Sequence, residues 1–395
     1  MTAKPVLLGL LLLGTVCSFC SARTWTSTTG KTLEGDLVRV QSGKAYIRAG
    51  KRVGAVPIKG LSRSDQAFIK KWITDQQLAR LSSKLEGLAP SEGGERPAAP
   101  EAAPVNPVNA GLTDTEHARS LDTIKRTVEE IQGRQGGADD DGIQEAINDL
   151  NTFRFLCGLD YQVGLDEAYN TQATAAASIC NALGRLSHAP ENPGWEKGRY
   201  QVAREGAGHC NLQVGGSVGG SVLSYMDDSD AGNITVLGHR RWCLNPAMGK
   251  TGFGSDGRYS AMWSMDDSNR KGSKLPFVAF PPPGYMPTDY FEDHYAWSVS
   301  LQKDAYKYPD SLAAENVKVY QLGGNETRPR AGEQPLKLSF FNLNRDGYGI
   351  PCCIIFKPEG VEVEHRSRYW VVIDGIEKRN GINTRIEYLV DFIRI

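Results

Sequence analysis

The run "APSEGGERPAAPEAAPVNPVNAG" at 89–111 constrains this chain more than any other stretch. Proline, alanine, glycine and glutamate leave it nothing to bury, so nothing offsets the entropy lost on ordering. It reads as a disordered Pro/Ala-rich linker over about 85–115, flexible in the manner of such compositions. Whatever precedes it must hold its own core, and so must whatever follows. At roughly 100 to 200 residues per domain, the 395 residues suggest two to four domains, and 40% hydrophobic content is enough to give them cores.

Residues 1–22, "MTAKPVLLGLLLLGTVCSFCSA", combine Lys4, an apolar run from Val6 to Val16 and small residues ending at Ala22. That is the pattern of a secretory signal peptide. Its apolar core is too short to span a bilayer, and no later segment approaches the ~20 apolar residues a membrane helix needs. The mature chain is therefore expected to be secreted or periplasmic, with no transmembrane helix. A net charge of −1 supplies no bulk excess of Lys and Arg, which argues against nucleic acid and anionic membrane surfaces as partners.

Export changes how the cysteines are read, because disulfides persist outside the cytoplasm. Removing Cys17 and Cys20 with the signal leaves Cys157, Cys180, Cys210, Cys243, Cys352 and Cys353. Cys210 and Cys243 flank the two most chemically loaded segments and are the first pair expected. Cys352 and Cys353 are adjacent, so on a strand they point to opposite faces and one of them stays a buried thiol. No CxxC pair remains to suggest a zinc ribbon.

Between residues 23 and 75, period-two pieces such as "LVRV" and "AYIR", broken by "SGK" and "AGK", predict a small antiparallel barrel. "LSRSDQAFIKKW" closes it as a helix capped by Ser62 or Ser64, with Phe68, Ile69 and Trp72 on its apolar stripe. Through Trp25, "VPIKGLS", Asp65, Phe68 and Ile69 the segment resembles the Sla homology domain 1, an SH3-like module. That resemblance implies peptide or protein binding.

After the linker, residues 116–135 place Leu121, Ile124, Val128 and Ile131 at helical spacing, with His117 solvated. The block 139–270 opens with "DDDG", an acidic run suited to a helix N-terminus. The helix continues through Ile147, Leu150, Phe153 and Arg154. A second helix runs from about Asp166 to Gly184, its small residues along one face permitting close approach, and "RLSHAPENPG" follows as a loop.

"LNTFRFLCGL", "LDEAYNTQATAAA", "LSHAPE" and "GHRRWCLNPAMGKTGFG" occur in that order over some 130 residues. In this the block resembles the bacterial branch of the CAP superfamily, which includes cysteine-rich secretory and pathogenesis-related proteins. The resemblance implies an α-β-α sandwich whose cleft is lined by two histidines and one or two glutamates, often with a divalent metal. Residue by residue, His188 of "LSHAP" matches the first cleft histidine and His239 of "GHRRW" the second. The chain departs from the family at "REGAGHCNL", where Cys210 stands in place of a glutamate. Either Glu205 reaches into the cleft or His209 replaces it. The second family glutamate is also missing, with Asp227 and Asp228 nearest.

Two neutral imidazoles make half of a zinc site. His188 and His239 are the candidate metal ligands, and Glu205, His209 or Asp228 the third. With Glu205 as base beside a zinc-bound water, a metal-assisted hydrolase is chemically open. No HExxH motif, nucleophile elbow or dyad accompanies it. Arg240 and Arg241 match the fork of a carboxylate or phosphate, one of them pairing internally, and Trp242 belongs to the core.

Residues 275–395 alternate in "YAWSVSL", "VKVYQL", "LKLSFFNL", "CCIIF", "YWVVIDGI" and "IEYLVDFIRI", predicting an immunoglobulin-like β-sandwich with Trp297, Tyr369 and Trp370 in its core. Asn233 and Asn325 head glycosylation triplets. The whole reads as a multidomain, non-catalytic binding or adaptor protein at the cell envelope or extracellular matrix, its ligand an envelope polymer, a lipid or a protein. The alternative is a zinc-assisted hydrolase of peptide or cell-wall substrates, with His188, Glu205 and His239 as its catalytic candidates.

Overall fold

The computed structural model describes residues 23–41, 44–50, 52–62, 65, 68, 69, 119–136, 142–269, 272–323 and 326–395. The expected signal peptide with Cys17 and Cys20, the linker at 85–115, Ser64, Trp72, His117, the acidic run 139–141 and Asn325 lie outside the described residues. Chain contacts separate two compact units, Met1–Gly87 and Leu88–Ile395, and the protein is mixed α/β with several sheets.

In the first unit the predicted alternation becomes strands β1 (Arg23–Thr26), β2 (Thr32–Gln41), β3 (Lys44–Ala49) and β4 (Arg52–Pro57), antiparallel and in chain order. The segment after β4 returns to the first strand, where Ser62 N donates to Thr26 O and Ser27 bridges Leu61. Trp25, Ala45, Ile47, Leu61 and Ile69 form the core, and the Trp25 indole N–H donates to Gly35 O. Asp65 ties the turn together by accepting from Thr26 N, Ser62 Oγ and the Arg23 guanidinium. Burial by itself would raise the Asp65 pKa. Its hydrogen bonds and the Arg23 charge overcome that and hold it below the ordinary carboxylate range.

Among the described residues the second unit opens on α1 (Leu121–Gln132), capped by Ser120 and burying Ile124, Val128 and Ile131 as the stripe predicts. Helix α2 (Ile143–Leu156) is buried from Ala146 to Leu156. Strand β5 (Gly164–Leu165) leads into α3 (Glu167–Leu183), whose N-cap Asp166 accepts from Ala168 N and Tyr169 N and which ends at Gly184 in the left-handed region. Next come α4 (Lys197–His209), β6 (Cys210–Val214), α5 (Ser221–Asp227), α6 (Gly238–Cys243), β7 (Lys250–Asp256) and β8 (Tyr259–Trp263). Their sheet runs β5-β7-β8-β6.

Helix α3 lies between this sheet and α4, and small residues let it in. A Cβ at Gly206 of α4 would sit 2.2 Å from Gln172 O, and one at Gly254 of β7 would sit 2.3 Å from Thr174 Oγ1. Either contact would push α3 away, so glycine at both positions sets the depth of this layer.

The remaining strands are β9 (Phe277–Phe280), β10 (Gly284–Pro287), β11 (Trp297–Leu301), β12 (Tyr306–Lys307), β13 (Val317–Leu322), β14 (Leu338–Asn344), β15 (Cys352–Pro358), β16 (Arg368–Lys378) and β17 (Asn383–Ile393). One sheet runs β14-β15-β11-β9 and the other β10-β17-β16-β12, with β13 also paired to β16. Strand β10 is parallel to β17, so the second sheet is mixed. Every predicted strand of this region is present. Trp297 and Tyr369 join the large cluster, while Trp370, also buried, lies on the opposite face of β16 in a smaller core cluster with Leu322, Val372 and Leu389.

Helices α1 and α2 and the region 275–395 share one large cluster: Ile124, Leu150 and Phe153 from the helices join Trp297, Phe356, Tyr369 and Phe392 from the sheets. The cysteines differ from expectation. All six among the described residues are free and buried, and Cys210 is not joined to Cys243. Alternation along β6 is the reason. Cys210 faces the α3 and α4 cluster, whereas its neighbour Asn211 faces the other way and donates from Nδ2 to Cys243 Sγ. Cys352 and Cys353 do point to opposite faces, into two different clusters.

Asp149 of α2 accepts from Gln132 Nε2. Burial, with a smaller contribution from the Glu145 charge, pushes its pKa up to about 6 against the Gln132 bond. A carboxyl raised on folding adds stability below its unfolded pKa, and that contribution is lost as pH rises through the folded value. Asp149→Asn should therefore raise stability by about 2 kcal/mol at about pH 8, with the gain vanishing below about pH 4. Thermal melts of parent and variant across that range check this, and a pH-independent difference contradicts it.

Candidate functional site

Helix α4, "KGRYQVAREGAGH", has two unlike faces. Ala203, Gly206 and Ala207 are buried against α3. The other face carries Lys197, Tyr200, Gln201, Arg204, Glu205, Gly208 and His209, which recur at the one-turn spacing of a helix. With His188 and Ala189 of the preceding loop, these residues line an open groove of about 540 Å³. Glu196 caps the helix by accepting from Gly198 N and Arg199 N.

The loop that forms the far wall is held by its own bonds. Asn192 Oδ1 accepts from Gly194 N and Trp195 N, Tyr200 OH donates to Pro190 O, and Arg185 pairs with Glu191 at 3.0 Å. His188 Nδ1 lies 2.8 Å from Ala207 O. A carbonyl only accepts, so Nδ1 carries the proton and Nε2 is left as the ring's free nitrogen. His209 repeats the arrangement, with Nδ1 2.8 Å from Glu205 O.

The plane of the His209 ring is set from behind. It stacks on Trp263 of β8 at 4.9 Å and 7°, and Trp263 stacks on Tyr169 of α3 at 4.6 Å and 11°. Tyr169 OH donates to Asp266 Oδ1, and Asp266 is itself held by Gly249 N, Lys250 N and Ser268. His209 therefore meets the groove in one orientation.

His239 is not part of this lining. It sits on α6, where Asp228 Oδ1 accepts from its Nδ1 at 2.7 Å and Asp228 Oδ2 from its backbone N at 2.9 Å. The Asp228 side chain is buried, while that of His239 is 23% exposed beside the Tyr225 ring. Asp228 and Leu237, at φ 46° and 48°, are two of three non-glycine residues in the left-handed region among the described residues. That strain brackets the turn presenting His239. The structure thus brings His188, Glu205 and His209 to one groove and gives His239 a partner of its own, Asp228. Asp227 accepts instead from His294.

The two arginines after His239 do not serve an anion. Arg240 is 0% exposed and donates to the carbonyls of Met226, Asp227 and Ala296, with Ser298 and Ser229 hydroxyls beside it. Arg241 is 3% exposed and donates to Val236 O, Asp346 O, Ile350 O and Asn344 Oδ1. Their fork geometry is used on backbone carbonyls, because both are enclosed between α6 and the strands of the C-terminal region. Trp242, expected in the core, is half-buried and belongs to no core cluster.

Among the described residues no group of three or more His, Cys, Asp or Glu side chains is placed to hold a metal ion. The Nε2 atoms of His188 and His209 are each of the type that ligates a metal singly. Lys197, Tyr200, Gln201 and Arg204 were not foreseen as lining residues. The available signal was their helical spacing opposite Ala203, Gly206 and Ala207. Comparison of the chain with known protein families, with curated proteins and with solved structures finds no match.

Removing a buried guanidinium leaves several carbonyls without donors. Arg241→Ala should cost about 3–5 kcal/mol, measured as a fall in the free energy of unfolding by denaturant. A loss below about 1 kcal/mol would show that these bonds do not hold α6 in place.

Proposed function

We propose that this chain is an exported, non-catalytic binding protein that seats its ligand in the groove along α4. In this reading the first unit is an SH3-like module, the region 139–270 a CAP-type helix and sheet layer, and the region 275–395 an immunoglobulin-like pair of sheets. Its site is secreted or periplasmic, and its ligand an envelope polymer, a lipid or a protein.

One observation carries the reading. The groove gathers His188, Glu205 and His209 with cationic, amide and aromatic neighbours, and no serine, threonine or cysteine nucleophile lies among its lining residues. Its size suits a small ligand or a short stretch of polymer. Both imidazoles are fixed through Nδ1 before any ligand arrives, so little ordering entropy remains to be lost on binding. This is the condition for recognition by a rigid surface.

The test is a binding screen of the purified full chain against envelope polysaccharides, lipids and peptides, with a His188→Ala, His209→Ala double variant beside it. The expected result is a ligand bound by the parent and held at least about tenfold more weakly by the variant. Equal binding by both, or no binding by either, removes the groove as the site.

A further inference from the structure

The charges on the groove face of α4 are left without partners on their own helix. Lys197 has Tyr200 and Gln201 three and four residues on, Arg204 has Gly208 four residues on and Tyr200 four residues back, and Glu205 has Gln201 and His209. Helical ion pairs form at just these spacings, and no Lys, Arg, Asp or Glu of opposite charge occupies them. Neighbouring elements do not compensate. Glu196 is committed to the helix N-terminus and feels Lys197 only weakly beside its hydrogen bonds, Glu191 is paired with Arg185, and Arg199 lies over the Trp195 ring at 3.7 Å. Among the described residues, the side chains of Lys197, Arg204 and Glu205 take part in no ion pair and no hydrogen bond.

We infer that the ligand of this groove is an acidic oligosaccharide of the uronic acid class, with Lys197 and Arg204 pairing to its carboxylates. This rests on the groove being the binding site. Lys197 and Arg204 lie two turns apart on one face, about 10 Å along the axis, so they meet anionic groups spread along an extended ligand. Between and beside them stand Glu205, the Gln201 amide and the Nε2 atoms of His188 and His209, which offer acceptors for hydroxyl groups. A neutral sugar would leave both cations unpaired. A ligand dense in negative charge would meet the Glu205 carboxylate with nothing to offer it. A sugar chain carrying both hydroxyls and carboxylates uses every group present, and the flat ring of His209, backed by Trp263, gives it an apolar face to lie against.

The experiment measures binding of the full chain by calorimetry to a galacturonate hexamer, to the same hexamer with its carboxylates methyl-esterified, and to a glutamate hexamer. Binding of the acidic sugar is expected, with the ester and the peptide each weaker by at least about tenfold. Lys197→Ala with Arg204→Ala should weaken the acidic sugar by a similar factor while leaving the melting temperature unchanged, because both side chains are exposed. The inference is overturned if the acidic hexamer does not bind, if the ester or the peptide binds as tightly, or if the double variant binds like the parent. The two failures are distinguishable. If the charge variant retains a ligand that His188→Ala, His209→Ala loses, the groove stands and its acidic ligand does not. If both variants retain it, the groove itself is wrong.

Discussion

Arg240 carries a positive charge into a site with no exposed surface, where removal from water costs several kcal/mol unless its N–H groups find acceptors. They find carbonyls of Met226 and Asp227 at the end of α5 and of Ala296 at the start of β11. Burial draws its pKa down, opposed by the nearby charge of Asp228. Arg241 does the same for the turn at 346–350, and Arg154 of α2 donates to the carbonyls of Asp160, Cys243, Asn245 and Met248. These guanidinium groups span between irregular segments whose carbonyls no sheet or helix ladder could satisfy. Helix, turn and C-terminal sheets are joined through them, which is why α1, α2 and the C-terminal sheets pack into one large cluster.

The same local economy of space produces the groove. Two glycines and a run of alanines bring α3 close to α4 and to β7, so no bulky side chain separates the layers. Helix α4 then has no room to turn its charged face inward. Its polar stripe faces solvent, and the loop carrying His188 closes one side of it through the bonds of Asn192 and Tyr200.

Orientation within the groove comes from the backbone and from ring stacking. Two histidines donate from Nδ1 to carbonyls of α4 itself, and His209 is flattened on Trp263. A third histidine, His239, is oriented by a buried carboxylate at a strained turn. Imidazoles held this way have one defined tautomer and one free nitrogen, a precondition for recognition or for proton transfer. What distinguishes the α4 groove is the surrounding set of uncompensated charges, which His239 does not share.

Much of this was legible in the chain. The period-two strands of both β regions, the stripe of α1, the small face of α3 and the opposite faces of Cys352 and Cys353 all follow from local pattern, because backbone geometry imposes fixed periods on side-chain direction. The motifs point to His188 with His239, and to Glu205 or His209 as alternatives beside them, and the groove holds His188, Glu205 and His209 without His239. Tertiary packing decided the rest. The arginines of "GHRRW" look like anion binders until the strands that enclose them are known, and Cys210 looks like a partner for Cys243 until the sheet places them on opposite sides. Which histidine shares the groove with Glu205, and which is bound to Asp228, depends on contacts between segments far apart in sequence. No local period encodes those, since they are set by which surfaces can be buried together.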